Sequence, residues 1–557
     1  MINFTDEKQQ KRVEEMRERE AEELSQILAQ RYKLPYLDLS RVTIDLDALK
    51  LVPEETAKEA KMAVFQKSGK RLQVAVLSPN PDQTKKVLAE LEEKGFKITL
   101  YMVSETSLER VWKRYSEVPD FTEISRGIID VSAEKLEEFM GEAKNLKGLK
   151  SILSAATDSK KQRKVSEVLE IVLAGAISSN ASDVHIEPQE NDVRLRLRLD
   201  GVLHDVAFLN PKTYPLLLSR IKLISGLKLN IHNQAQDGRF SIKLKGSETE
   251  VRVSVIPEAY GESVVMRILD PKAISVPLEE LGMEKRLYSI LIKEIRKPNG
   301  MLLTTGPTGS GKTTALYAFL KKIHTPEVKI LTIEDPIEYH LRGIIQTQVE
   351  KKRGYTFAGG LRAALRQDPD VIMVGEIRDL ETAKTAMNAA LTGHLVFSTL
   401  HTNNAAGTIP RLIDLGVNPS IIAPAINVAM AQRLVRKLCP DCKEKAVLSE
   451  SEMEKVRKTV AEFPEDYPDR PDVEKAQYWK AGSCDKCNNT GYKGRIGIFE
   501  AILVDESIES LIMNNPSETE ITEAAKSQGV LNMQQDGVLK VTNGVTSLEE
   551  LQRVVEL

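Results

Sequence analysis

Residues Gly306-Pro307-Thr308-Gly309-Ser310-Gly311-Lys312-Thr313 bring glycines, a lysine and a hydroxyl into the spacing that wraps a polyphosphate. The glycines allow backbone N–H groups to converge on phosphate oxygens, Lys312 is expected to reach the β- and γ-phosphates, and the Thr313 hydroxyl is expected to ligate Mg²⁺. Met301 to Thr305 reads as a buried strand, and Thr314 begins an apolar-faced helix running to Leu320, whose positive dipole end favours an anion. Gly306 to Thr314 is therefore predicted to hold a nucleoside triphosphate.

Hydrolysis needs an acid near the metal or its water. Asp370-Val371-Ile372-Met373-Val374-Gly375-Glu376 reads as a central strand that turns at Gly375 and presents Glu376 at its C-terminal end, where open α/β sheets bind ligands. A second acidic cluster, Glu334-Asp335-Pro336-Ile337-Glu338, follows the strand Lys329 to Ile333 and should reach the same edge. One of these carboxylates is expected to hold Mg²⁺ while another polarises the attacking water. His394 and His401 flank the strand Leu395 to Thr399; His401 falls at the ligand end, as a γ-phosphate sensor or a structural residue, and His394 at the opposite, structural end.

These residues need a mainly parallel, doubly wound sheet, and the alternation of apolar strands (Met301 to Thr305, Lys329 to Ile333, Ile344 to Val349, Val371 to Val374, Leu395 to Thr399) with amphipathic helices predicts one. At 557 residues the chain is too long for a single core. A small N-terminal α/β domain is expected over residues 1–115, with a helix at Glu22 to Tyr32, strands at Leu72 to Leu77 and Lys97 to Met102, and a helix at Thr84 to Glu93. A polar linker follows at 116–163, a second α/β domain at 164–276, and the nucleotide-binding domain at 277–557. In the second domain, Val193 to Leu199 alternates strictly and puts Arg194, Arg196 and Arg198 on one sheet face, either solvated or met by a subunit or phosphate.

Cys439-Pro440-Asp441-Cys442 and Cys484-Asp485-Lys486-Cys487 are the only cysteines, and two such pairs make a closed four-thiolate zinc site with a structural role. The expected zinc-binding insertion spans 437–490, with the charged stretch Leu448 to Trp479 between the pairs. Lys+Arg of 78 against Asp+Glu of 81 gives a net charge of −3, so no positive excess advertises a nucleic acid, and protein partners are expected. The charged start, Met1 to Glu23, is unlike a secretory signal, and no apolar run approaches the roughly 18 residues of a membrane span, so a cytoplasmic location is expected.

Over nearly its whole length the sequence resembles the secretion-type ATPases that power type IV pilus assembly and type II secretion. The resemblance rests on Ser182 to Pro188 (SDVHIEP), Gln236-Asp237-Gly238-Arg239, Arg252-Val253-Ser254, Gly261 to Arg267 (GESVVMR), the phosphate loop, Thr332 to Glu338 (TIEDPIE), Gly360 to Asp370 (GLRAALRQDPD) and the two-histidine strand. It implies a RecA-like P-loop domain preceded by a PAS-like α/β domain and a small N-terminal α/β domain, with a tetracysteine zinc module. By resemblance, Glu338 is the catalytic base, Glu376 lies near Mg²⁺, His401 lies near the γ-phosphate, and Arg252 and Arg267 close over the phosphates from the second domain. Arg362 and Arg366 are further cations of this kind, at a subunit boundary. The cofactors implied are ATP, Mg²⁺ and structural Zn²⁺. The implied assembly is a homo-hexamer at the inner face of the cytoplasmic membrane, held there through an inner-membrane platform protein.

Retraction motors of that superfamily are shorter and usually lack the extra N-terminal domain and the cysteine pairs, so an extension motor is expected, with type II secretion as the alternative. The N-terminal segment resembles an adaptor that docks on a membrane-associated partner or, in some relatives, binds cyclic di-GMP. Only Leu24 to Leu39 matches it, without the opening Arg-Leu-Gly repeat of the dinucleotide-binding form, so cyclic di-GMP is not expected. A hexameric nucleic-acid translocase and a non-hydrolysing ATP-gated scaffold are the remaining alternatives. The near-neutral charge disfavours the first, and the presence of both Glu338 and Glu376 disfavours the second.

Overall fold

The apolar strands of the C-terminal region alternate their side chains between two faces, and the computed structural model buries both. It describes residues 21–39, 42, 44–49, 51–93, 95–117, 128–129, 146–157, 165–244, 247–269 and 276–557. Residues 1–20 of the charged start and most of the expected linker at 116–163 lie outside these. The chain divides into two compact units, one ending at Ile268 and the other spanning Leu269–Leu557.

In the first unit, helix α1 (residues 21–32) precedes strands β1 (Met62–Ser68) and β2 (Arg71–Val76), helix α2 (Asp82–Glu93), strand β3 (Lys97–Met102) and helix α3 (Glu105–Lys113). The three strands form one sheet in the order β1-β2-β3, with β2 and β3 parallel. Strand β1 was not predicted; its apolar stretch, Met62 to Phe65, is too short to show a period. The Glu22 carboxylate of α1 accepts hydrogen bonds from Tyr36, Ser104 and Ser107, which fastens the helix to the domain.

A second core surrounds helix α4 (Val165–Ser178), strands β5 (Asp183–Pro188), β6 (Val193–Leu199) and β7 (Val202–Leu209), helix α5 (Tyr214–Ile224), and strands β8 (Gln236–Leu244), β9 (Ser247–Glu258) and β10 (Gly261–Leu269). With the short strand β4 (Ile128–Ile129) they form a seven-stranded sheet in the order β4-β8-β9-β10-β5-β6-β7. Strand β6 buries every second residue, as its alternation predicts. Its arginines meet acids of the neighbouring strands: Arg194 pairs with Asp205, Arg196 with Glu187, and Arg198 with Asp183. Cross-strand pairing within the sheet thus offsets their mutual repulsion.

The second unit contains helix α6 (Lys285–Glu294), strand β11 (Gly300–Thr305), helix α7 (Lys312–Ile323), strands β12 (Ile330–Glu334) and β13 (Ile345–Gln348), helix α8 (Phe357–Ala364), strand β14 (Val371–Val374), helix α9 (Leu380–Leu391) and strand β15 (Leu395–Leu400). Strand β16 (Ile426–Leu438) and, after the cysteine region, strand β19 (Tyr492–Leu503) complete a seven-stranded sheet in the order β13-β12-β14-β15-β11-β16-β19. All of its pairings are parallel except β16 with β19. Met301 and Leu303 of β11 enter the core on one face and Leu302 the core on the other, as a doubly wound sheet requires. The five predicted strands are its centre and one edge; β16 and β19 were missed. β16 continues an apolar run out of the helix Pro419–Ala425, and β19 is interrupted by Gly494 and Gly497, so neither shows a clean two-residue period.

Helix α10 (Glu450–Ala461), between the cysteine pairs, sends Val456 and Val460 into the core of this unit, so the insertion is integral to it. Helices α11 (Glu518–Ala525), α12 (Met533–Thr542) and α13 (Leu548–Val554) follow β19. Helix α13 is anchored to β16 by Glu550, whose buried carboxylate accepts from Arg436 Nε at 2.9 Å and Nη2 at 2.6 Å and from Arg553 Nη2 at 2.7 Å. Burial would raise this carboxyl, but the bonds from Arg553 and Arg436 outweigh it and hold it at about 2 against an ordinary 4.5. Because the folded value is the lower one, the stabilisation is present above pH 4.5 and is lost as the pH falls toward 2. Glu550→Gln is expected to destabilise the chain by about 2–4 kcal/mol at pH 7. In denaturant titrations the gap between variant and parent should narrow steadily below pH 4.5.

Candidate nucleotide site and tetracysteine cluster

The phosphate loop leaves β11 and enters α7 through Gly306, Gly309 and Gly311, which have φ of 140°, 80° and 90°. Only glycine takes these values without strain. Space is a second constraint at the two ends of the loop: a Cβ on Gly306 would lie 2.5 Å from the carbonyl oxygen of Gln432, and one on Gly311 would lie 2.7 Å from Gln432 Nε2. One residue of β16 thus bounds both ends of the loop. Gln432 is buried, and its Oε1, like the buried Ser310 Oγ, has no hydrogen-bond partner among the described residues. Gln432 was not among the predicted site residues; the signal was an amide directly after the apolar run Val428 to Ala431.

Lys312 Nζ donates to the carbonyls of Gly306 at 2.6 Å and Pro307 at 3.1 Å. Burial pushes the Lys312 ammonium below the ordinary lysine value, and the Glu376 carboxylate opposes that shift. Glu376 follows the end of β14, largely buried, where Thr399 donates to the Gly375 carbonyl at 2.7 Å and the Ile377 N–H donates to the Thr399 carbonyl at 3.0 Å. Its oxygens meet Arg378 Nη2 at 2.6 Å and His401 Nε2 at 3.2 Å. His401, half exposed, follows β15, and the next residue is tied to β11 by the Thr402 N–H donating to Thr305 Oγ1 at 2.8 Å. Lys312, Thr313, Glu376 and His401 therefore share one end of the sheet. His394 lies at the other end, with Nδ1 3.0 Å from the Ala389 carbonyl at the close of α9.

Glu334, weighed as a metal ligand or water-activating group, is buried, and both its oxygens are engaged, by Tyr317 on one side and by Thr332 and Gln346 on the other. Glu338 is only partly buried. Arg362 pairs with Glu381, and Arg366 donates to the Arg362 carbonyl at 3.0 Å. In the first unit, Arg267 Nε donates to Asp183 at 3.0 Å and Arg252 Nε to Glu250 at 3.4 Å.

The four cysteines, 439, 442, 484 and 487, bring their sulfurs within 4.8 Å of one another. Cys439–Cys484, Cys442–Cys487 and Cys484–Cys487 are 3.8, 3.7 and 3.6 Å apart. A tetrahedron with zinc–sulfur bonds of about 2.3 Å has edges of about 3.8 Å, so the set fits zinc. Burial works against a Cys487 thiolate, but backbone hydrogen bonds, including one from the Gly491 N–H at 3.2 Å, outweigh it and hold the thiol at about 7. Strands β17 (Glu444–Lys445) and β18 (Trp479–Lys480) pair beside the cluster and join the two cysteine segments.

A phosphate loop on a doubly wound sheet, with carboxylates at the ends of the neighbouring strands, defines a RecA-like P-loop nucleotide hydrolase. Residues 158–553 match the family described as type II/IV secretion system protein, and residues 32–120 match the MshEN domain. The type II secretion system protein E of Pseudomonas aeruginosa is 45% identical over 426 residues, covering 76% of this chain and 82% of the relative. The type IV pilus assembly ATPase PilB of Myxococcus xanthus is 36% identical over 533 residues, covering 96% and 91%. The crystal structure of the Legionella pneumophila ATPase DotB shares the fold, with a TM-score of 0.51 at 23% identity over 72% of this chain and 98% of that one. The chain belongs to the type II/IV secretion system protein family and is an ATPase.

Gly311→Ala is expected to weaken ATP binding at least about tenfold, through strain at positive φ and the contact with Gln432; titration with a fluorescent ATP analogue checks this. Elemental analysis is expected to find one zinc per chain. Cys442→Ser or chelation should then lower the melting temperature by about 4–8 °C, equivalent to about 2 kcal/mol in a unit of this size.

Proposed function

We propose that this ATPase is the extension motor of a type IV pilus, working as a homo-hexamer against an inner-membrane platform protein from the cytoplasmic side. The observation that carries this reading is coverage. The pilus assembly ATPase PilB of Myxococcus xanthus aligns over 96% of the chain, N-terminal domain included, whereas the type II secretion relative of Pseudomonas aeruginosa aligns over 76%. The higher identity of that relative, 45% against 36%, is what favours the second reading, a type II secretion motor that assembles a pseudopilus. Among the described residues no helix is long and apolar enough to cross a membrane, so membrane association would come through the partner. Neither reading requires nucleic acid.

For the chemistry, ATP would lie with its phosphates on the loop Gly306–Thr314, Lys312 reaching the β- and γ-phosphates. Thr313 and Glu376 would hold Mg²⁺, which offsets the charge on the phosphate oxygens. Glu338 takes the proton of the attacking water as general base, a role its partial exposure supports. His401, hydrogen-bonded to Glu376, reports the γ-phosphate to the segment after β15. Arg252 and Arg267 from the second domain close on the phosphates, leaving Glu250 and Asp183, and place fixed positive charge where charge separates. Hydrolysis and product release let these arginines withdraw, and sequential turnover around the ring displaces the platform. The four thiols hold the cysteine module together and take no part in hydrolysis.

Glu338→Gln and Glu376→Gln are each expected to lower kcat at least about hundredfold with ATP affinity changed far less. Placed in the source cell, Glu376→Gln is expected to abolish surface pili while leaving protein export intact; intact pili with lost export would establish the secretion reading instead.

A further inference from the structure

Glu334 is a buried carboxylate that performs none of the steps above, yet three elements donate hydrogen bonds to it. Tyr317 of α7 donates to Oε2, while Thr332 at 2.5 Å and Gln346 Nε2 at 3.0 Å donate to Oε1. Tyr317 is fully buried and lies five residues along the helix that begins with Lys312. Gln346 of β13 also donates to the Tyr339 carbonyl at 3.1 Å, and its Oε1 accepts the Leu341 N–H at 2.7 Å. The rings of Tyr317 and Tyr339 meet edge to face with centroids 4.9 Å apart. Residues 335–341, which carry Glu338, are therefore held at both ends and in the middle.

A buried carboxylate is costly unless its oxygens are satisfied, and apolar packing would fill the same space. What a hydroxyl–carboxylate contact adds is direction: it fixes the angle and register of one element against another, where apolar contacts slide. Here the two elements are the helix bearing Lys312 and the segment bearing Glu338.

We propose that Tyr317 and Glu334 are positioning residues for ATP hydrolysis, a buried pair that sets the Glu338 carboxylate in register with the phosphate loop. The proposal rests on the reading of Glu338 as the general base. It explains why Glu334 stands one residue before the turn that leads to Glu338 while remaining out of reach of water and metal. A misplacement of the base of about 1 Å is enough to lower turnover by one to two orders of magnitude.

The test uses the full chain, with steady-state hydrolysis, equilibrium ATP binding and thermal melting measured for Tyr317→Phe, Glu338→Gln and the double variant. Tyr317→Phe keeps the ring and removes the donor to Glu334. It is expected to lower kcat at least about tenfold, with the Kd for ATP within about twofold of the parent and the melting temperature little changed. In the double variant the loss should be no greater than in Glu338→Gln alone, because a base that is absent cannot be misplaced. Unchanged kcat, a parallel fall in kcat and ATP affinity, or full additivity in the double variant would overturn the proposal. Parental turnover in Glu338→Gln would instead sink the reading of that residue as the base, and the proposal with it. Should Tyr317→Phe fail to fold, Thr332→Val, which removes another donor to the same carboxylate at similar volume, is judged by the same measurements.

Discussion

The parallel pairing of β11 with β15 on one side and with β16 on the other fixes where the polar groups of the nucleotide site emerge. A sheet covered on both faces has no free surface for chemistry, so reactive side chains appear where strands end and the backbone turns. Glycines let the chain leave β11 as a loop, β14 ends just before Glu376, and β15 ends just before His401. The same packing sets the limits of the loop, because β16 brings Gln432 against Gly306 and Gly311 and leaves no space for a side chain at either. The loop is shaped as much by its neighbour in the sheet as by its own sequence.

Buried carboxyl groups are satisfied in three ways. Glu550 is satisfied by two arginines and anchors the last helix to β16. Glu334 is satisfied by neutral donors from three elements and becomes a joint between them. Glu376 is met by Arg378 and His401, groups more exposed than itself, which keeps its oxygens close to ligand and solvent. The first two carboxylates are enclosed, whereas the third remains reachable, and reachability separates a structural acid from one that can serve chemistry.

The cysteine region follows from a different constraint. The two pairs lie far apart in sequence, and the segment between them supplies Val456, Val460, Phe463 and Tyr467 to the core of the unit. Cys439 comes directly after the end of β16, the strand that carries Gln432 and Arg436, so the cluster closes the far end of the strand that bounds the phosphate loop.

The sequence by itself determined the phosphate loop, the five strands around it, the exit of Glu376 and the pairing of the cysteines. Each of these is written in local spacing, either a period of two, a run of apolar residues or a fixed motif length. It also showed the alternation of Arg194, Arg196 and Arg198, but not that Asp183, Glu187 and Asp205 would face them, because cross-strand register is a property of the sheet. Spacing alone did not separate Glu334 from Glu338, and only resemblance singled out Glu338; the folded chain gives the physical difference, by bringing Tyr317 and Gln346 from distant positions to enclose Glu334 and leaving Glu338 partly exposed. Tertiary structure likewise decided that Gln432 borders the loop and that β16 and β19, without a clean period, complete the sheet. Burial and satisfaction of a polar group depend on what surrounds it in space, and spacing along the chain does not contain that information.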